Sequence, residues 1–406
     1  MEHSPAYEEQ INDPGFLLSV PDWHSSVNAY DNKRYIDSIR YLLKYLNKNL
    51  EIPEEDSFSL KIIHGSVIVY IKVGDGKFSV KAPFVKMPQN GNAISLMRQV
   101  AELNFSYLVL SQVIKSGEEF FFEYEDFIEN CEPYKVYAIL EEICYGADYH
   151  DDIFIDKFKA EFVSKPELNY FSEEQKDKAY TKYKQIIENA IHNGEYLESK
   201  RWYNSQCDLY AIAFTQIDYI IAPQGILGSD LVDALNGMYV KDNSQIIAGK
   251  TKEKLSKLLD YDKTKFFDSL YFPSFLVPIK RRAELPTIQD FFKGTYEKAA
   301  NSISNGAYLG ASLSLLYVIY DLFYRYRVPP EIKNMLVNAL KGVSERDWKH
   351  TCEVLYNAIN EIMKMEKLEH KEPISRKDVS KKSQAAQQNS TSLVKNVVNK
   401  IFELFK

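Results

Sequence analysis

The chain has 406 residues, is 45% hydrophobic and 26% charged, and carries a net charge of −7. That length supplies two or three packed cores, and the composition is that of a soluble globular protein. Residues 364–406 hold ten Lys/Arg against five Asp/Glu, a balance of +5 that leaves −12 on the rest; such an acidic body argues against nucleic-acid binding, while the basic tail could touch an anionic membrane or an acidic partner.

Residues 1–25 read as an irregular lead-in. The start, Met1-Glu2-His3-Ser4-Pro5, is polar and acidic and shows no signal-peptide pattern. From Asp31 to Leu50 the apolar residues Tyr35, Ile39, Leu42, Leu43 and Leu46 recur at three and four, which predicts a helix. The period then changes to two. Val67, Val69, Ile71 and Val73 alternate with Ile68, Tyr70 and Lys72; Gly74-Asp75-Gly76 supplies a turn, and Phe78, Val80, Ala82 and Phe84 form a second alternating run. This is a hairpin with one buried face. Pro83 predicts that the second strand ends there or lies at an edge.

Gly91-Asn92 opens a helix carrying Ala93, Leu96, Met97, Val100 and Leu103. Strands are predicted at Tyr107–Ile114 and Glu118–Glu125. Pro133 suits the first turn of a further helix with Val136, Tyr137, Leu140 and Cys144 inside. The order of elements predicts an α+β domain over 26–165, with helices laid on an antiparallel sheet.

From Ser172 the pattern is almost wholly helical, with helices expected at 172–193, 195–222, 228–240, 250–260, 287–305, 307–327, 330–342 and 344–368. Prolines at 273, 278, 286, 329 and 330 punctuate the region. An all-α, helical-repeat-like domain is assigned to 170–368. Two phrases recur: Asn193-Gly194-Glu195-Tyr196 with Ser199 and Tyr203, and Asn305-Gly306-Ala307-Tyr308 with Ala311 and Leu315. Each suits a turn followed by a helix packed closely on its neighbour. Residues 369–390 are polar and read as a disordered linker. The terminal segment 391–406 is periodic: Leu393, Val394, Val397, Val398, Ile401, Phe402, Leu404 and Phe405 line one helical face, and Lys395, Asn396, Asn399, Lys400, Glu403 and Lys406 the other. Such a face can dock in a partner's groove, lie on a membrane or fold back on the body. Partner docking is assigned to Leu393, Val394, Val397, Val398, Ile401, Phe402 and Phe405.

The hairpin Ser66–Val85, the run Met97-Arg98-Gln99-Val100-Ala101-Glu102-Leu103-Asn104-Phe105 and the second hairpin Leu108–Tyr124 resemble, over roughly residues 30–160, the YbjN-like and type III secretion chaperone-like fold. That resemblance implies a non-enzymatic binder of extended client segments that often dimerises, and it transfers no catalytic residue. Gly194, Tyr196, Ser199 and Tyr203, then Gly306, Tyr308, Ala311 and Leu315, resemble the glycine, aromatic, small and bulky positions of tetratricopeptide repeats. Trp348, Thr351, Leu355 and Ala358 form a looser third copy. This resemblance implies a surface for docking proteins.

Catalytic motifs are sparse. Asp148-Tyr149-His150-Asp151-Asp152, with Asp156 four further on, is the densest group of candidate ligands, and Asp152 and Asp156 share a helical face. His150, Asp152 and Asp156 could hold a metal, against the plainer reading of a charged helix end on the rim of the sheet. The other histidines (His3, His24, His64, His192, His350, His370) are scattered and have no recognisable nucleophile beside them. Gly-x-Ser-x-Gly and phosphate-loop patterns are absent. Lys280-Arg281-Arg282 reads as an exposed basic loop. Cys131, Cys144, Cys207 and Cys352 are widely spaced and are expected as free thiols in a reducing cytosol. The apolar stretch Leu309–Phe323 is too short for a membrane helix and contains Asp321.

Together these readings predict a non-enzymatic cytoplasmic adaptor or chaperone-like protein with protein partners and no cofactor or nucleic acid. A homodimer and membrane contact through the terminal helix stay open. The alternatives are a metal-assisted enzyme built on Asp148–Asp156 and a peripheral membrane protein.

Overall fold

A computed structural model describes residues 3–13, 18–89 and 92–366. The alternating run from Phe58 to Phe127 builds an antiparallel sheet of β1 (Phe58–His64), β2 (Val67–Gly74), β3 (Lys77–Lys86), β4 (Gln112–Ser116) and β5 (Glu119–Phe127), in the order β1-β2-β3-β5-β4. Asp75 and Gly76 turn β2 into β3 with φ of 52° and 71°, the left-handed pair that a two-residue hairpin demands. The register between β3 and β5 shifts after Pro83, so the proline sits at an irregularity and the strand runs on to Lys86. There the short β6 (Glu161–Phe162) pairs with Val85 and Lys86.

Helices α1 (Val20–Asp31) and α2 (Tyr35–Leu46) pack together, and α3 (Ala93–Glu102) continues into a π-helical turn, Leu103–Tyr107. α1 begins inside the stretch expected to be irregular. The strand expected from Tyr107 starts only at Gln112, because the Glu142 carboxylate gathers the Val109, Leu110 and Ser111 backbone N–H groups at 3.0–3.3 Å into a turn. Asn104 then covers the edge of β4: its amide accepts from Val113 N at 2.6 Å and donates to Val113 O at 2.9 Å, the pairing an exposed sheet edge otherwise leaves open. Pro133 does open a helix, α4 (Pro133–Phe158), whose Val136, Ile139, Leu140, Ile143 and Ala147 lie in the same core as the inner sheet face.

A second core belongs to the helices α5 (Glu173–Ser199), α6 (Tyr203–Ile220), α7 (Gly225–Asn236), α8 (Ser244–Leu259), α9 (Lys263–Asp268), α10 (Leu285–Ser304), α11 (Tyr308–Arg325), α12 (Pro330–Gly342) and α13 (Trp348–Lys364). α6 and α11 pack on one another at its centre. Both are buried nearly all round, which is what an apolar helix without a polar face requires. The turn expected at Asn193–Gly194 is not one. α5 runs through it, and Gly194 is there because a Cβ would collide with the Tyr210 ring of α6. Gly306, at φ 71°, is a turn as expected, just ahead of α11. The fold is therefore an α+β part with an antiparallel sheet, followed by a mostly helical part.

Two crossings tie the parts together. Residues 3–13 run along the helical lobe: Ser4 N donates to Arg346 O (2.9 Å), Ile11 N to Ile220 O (2.7 Å), and Lys333 and Lys341 pair with Asp13 and Glu9. In the other direction, the segment after α9 reaches back to the sheet. Its Leu276 and Val277 are fully buried in the sheet's core, and Ser274 O accepts from Gly65 N at 2.7 Å.

Candidate functional site: a buried acidic seam and an exposed apolar stripe

Asp148, Asp151 and Asp152 occupy one turn of α4, at the seam between the two lobes. Asp151 has no exposed surface, and Asp148 and Asp152 are half-buried. This overturns the reading of a charged helix end on the sheet's rim: the carboxylates face inward, onto backbone too close for side chains. Gly65 (φ 56°), between β1 and β2, brings its Cα against the Asp148 carboxylate. Gly225 (φ 61°), opening α7, does the same at Asp152. A Cβ at either glycine would overlap the carboxylate.

Ser66 joins two of the three acids. Its backbone N–H donates to Asp148 Oδ1 at 2.6 Å, and its Oγ lies 2.8 Å from the same atom and 2.5 Å from Asp151 Oδ2. One hydroxyl carries one proton. Both contacts are hydrogen bonds only if one carboxyl keeps its own proton and donates it. Burial pushes all three acids up, Asp148 to about 6 and Asp151 well above the usual range, and their mutual repulsion adds to it for Asp148 and Asp151. The arrangement is Asp151 donating to Ser66 Oγ, and Ser66 donating to Asp148.

Beside the seam, His64 is fully buried. Its Nδ1 accepts from Leu276 N and Val277 N at 3.2 and 3.4 Å, which fixes the proton on Nε2. Burial lowers its pKa to about 3. Its ring meets Tyr145 and Phe275 edge-on, and the Tyr145 hydroxyl donates to Pro278 O. His64 thus acts as a clamp on the returning segment.

The candidate metal ligands do not converge. His150 sits among the rings of Tyr107, Tyr149 and Phe154, with its pKa lowered to about 4 by burial. Asp152 faces Gly225, and Asp156 reaches outward to Lys265 at 3.9 Å. Among the described residues no group of three His, Cys, Asp or Glu side chains could hold a metal ion. Lys280 is tied down by Asp218 and Phe323 O, each at 3.0 Å, rather than sitting in an open loop. The four cysteines are free, and Cys131, Cys144 and Cys352 are buried. No helix among the described residues is long and apolar enough to cross a membrane. The assigned partner-binding residues Leu393, Val394, Val397, Val398, Ile401, Phe402 and Phe405 lie outside the described residues.

The second feature is on the surface. α3 buries Leu96 and Val100, yet Met97 is 42% exposed, Ile94 68%, and Phe105 in the following turn 90%. Val109 is exposed as well. Sequence reasoning had one signal for it: Ile94 and Phe105 fall outside the Leu96–Val100–Leu103 period of the inner face. For Ser66, Gly65 and Gly225 there was none, since they meet the acids only in the fold. Compared with known proteins, the chain matches no family model, no curated protein and no solved structure.

Proposed function

We propose that the chain is a non-enzymatic, cytoplasmic adaptor or chaperone-like protein that binds protein partners through its α+β lobe, its helical lobe and the segment 391–406. The observation that carries this reading is the apolar strip on α3. Large apolar side chains in a row on a surface helix mark a contact surface, because leaving them in water is unfavourable and nothing in the core requires them. The resemblances to secretion-chaperone and tetratricopeptide folds, both binding folds, point the same way.

The test is affinity purification of the full-length chain from its native cell, beside a chain ending at Leu368 and an Ile94→Asp/Phe105→Asp variant. Stoichiometric partners that depend on 391–406 or on the strip are expected. Partner recovery indifferent to both changes would remove these surfaces from the reading. Recovery of no partner, together with turnover of a small molecule by the purified chain, would replace it with an enzyme.

A further inference from the structure

The stretch Lys280-Arg281-Arg282 holds a charge pattern that the packing of the lobes does not explain. Arg281 and Arg282 pair in parallel with Tyr326 and Arg327, which follow α11. The register sets Arg282 beside Arg327 on one face of this ribbon, in strands about 4.8 Å apart. Tyr326 lies on the other face, with its ring on Phe291 at 5.6 Å. Two guanidinium groups side by side repel. Among the described residues neither of them has an ion pair or a hydrogen bond, whereas Lys280 has both. Arg282 is exposed and Arg327 half-buried. Burial pushes Arg327 below its ordinary value, opposed by Asp13 alone, and Asp13 is already held by Lys333 at 2.7 Å. Across the junction stands Tyr45 of α2. Its ring packs on Trp23 at 5.1 Å, and its hydroxyl has no hydrogen bond among the described residues. Burial pushes that hydroxyl up and the Arg282 charge draws it back, which puts the two within electrostatic reach. On α4, burial raises Glu141 and the Arg281 charge lowers it, so that acid answers Arg281.

We propose that Arg282, Arg327 and Tyr45 form a binding site for the phosphate group of a small molecule at the junction of the two lobes. This goes beyond the protein-binding reading and does not depend on it. Two guanidinium forks supply charge and several N–H donors, and the phenol adds an O–H. A phosphomonoester carries a charge of about −1.5 to −2 near pH 7, the amount that two arginines leave unanswered. A carboxylate carries about half of that and offers two acceptor atoms to three donor groups. The ligand is small because Arg327 lies half-buried at the junction, where a terminal phosphate reaches it, and because a body of net negative charge repels a long polyanion. Inorganic phosphates and small organic phosphomonoesters share this chemistry. Arg282 and Arg327 belong to the helical lobe and Tyr45 to the α+β lobe, so an occupied site fastens one to the other.

Isothermal titration calorimetry of the full-length chain with inorganic phosphate, pyrophosphate and phenyl phosphate, each to about 10 mM, tests the site. Saturable binding of at least one of them is expected. Arg282→Ala, at an exposed position, weakens it about tenfold or more, and Arg327→Ala does the same. Tyr45→Phe removes only the hydroxyl and weakens it about threefold or more. Arg98→Ala removes a positive charge from an exposed position on α3 and leaves binding unchanged. Preference for phenyl phosphate assigns an organic monoester and preference for either inorganic ion a free phosphate; both support the site. Absence of saturable binding for all three ions overturns the proposal. So does binding that Arg282→Ala leaves unchanged, or that Arg98→Ala weakens as much, since the attraction is then one of net charge rather than of a site.

Discussion

Ser66 sets the proton count of the seam, and that has a measurable consequence at Asp148. Between 3.8 and about 6 the folded chain holds the Asp148 proton more tightly than the unfolded chain does. This carboxyl therefore contributes stability that is full below 3.8 and lost as the pH rises through about 6, and a shift of that size is worth about 3 kcal/mol. His64 and His150 act with the opposite sign: their pKa values are lowered to about 3 and about 4, so their contribution is lost as the pH falls below 6.5. Asp148→Asn separates the two. Its amide oxygen still accepts from Ser66, and no charge remains to repel Asp151 and Asp152. Urea unfolding is expected to find this variant more stable than the parent by about 1–3 kcal/mol at pH 8, with the difference vanishing near pH 4. A constant difference across that range would refute the assignment. The glycines give a second comparison. Gly194→Ala drives a methyl group into Tyr210 and is expected to cost about 1–3 kcal/mol. Gly306→Ala meets nothing within 4 Å and is strained only by its φ of 71°, a cost of about 1 kcal/mol. Thermal unfolding of the two variants ranks them.

Among the elements, α5 begins with a reciprocal cap: Ser172 Oγ accepts from Gln175 N at 3.2 Å, and Gln175 Oε1 accepts from Ser172 N at 2.9 Å. Ser172→Ala is expected to lower stability by about 1 kcal/mol, read by chemical denaturation; no change would mean that tertiary packing alone holds this helix end. The start of this helix at Ser172, the Gly74-Asp75-Gly76 hairpin and the proline-opened α4 were legible in the sequence because their causes are local. The end of α5 was not. Gly194 serves a contact with Tyr210, sixteen residues on, and a glycine placed for close approach has the same letter as one placed for a turn. The start of β4 was hidden for a similar reason: the turn before it is held by Glu142, from a helix that comes later in the chain. The outer row of α3 was half legible, since its spacing is helical, but periodicity alone does not say which of two apolar faces is the inner one.

At the scale of the whole molecule, the sheet's core is completed by residues that arrive more than 100 positions later. Leu276→Ala removes a fully buried side chain from that core and is expected to destabilise the protein by about 2–4 kcal/mol. Limited proteolysis should then cut first in the α+β lobe, although the substitution lies in the helical half. Cleavage beginning instead among α10–α13 would count against the returning segment as part of the sheet's core. The alternation of the sheet and the periodicity of the helices were readable, and with them the fold class. The seam was not, because Ser66, Asp148 and Gly225 share no spacing and acquire their meaning only when the lobes close.

The strap of residues 3–13 has a consequence for how the chain is made. Four of its partners, Val343, Arg346, Lys333 and Lys341, are among the last of the described residues to leave the ribosome, whereas Lys182, Tyr219 and Ile220 are made earlier. At translation speeds of about 5–20 residues per second, the first segment waits roughly 20–70 s for the helices that receive it. During that interval the strap has only its earlier partners, Lys182, Tyr219 and Ile220, and its contacts with α12 and the segment after it are still unmade. Residues 3–13 are therefore fully fastened only late in synthesis, and a nascent chain stalled before α12 would present a half-held strap and an unfinished bundle to whatever chaperones attend its synthesis.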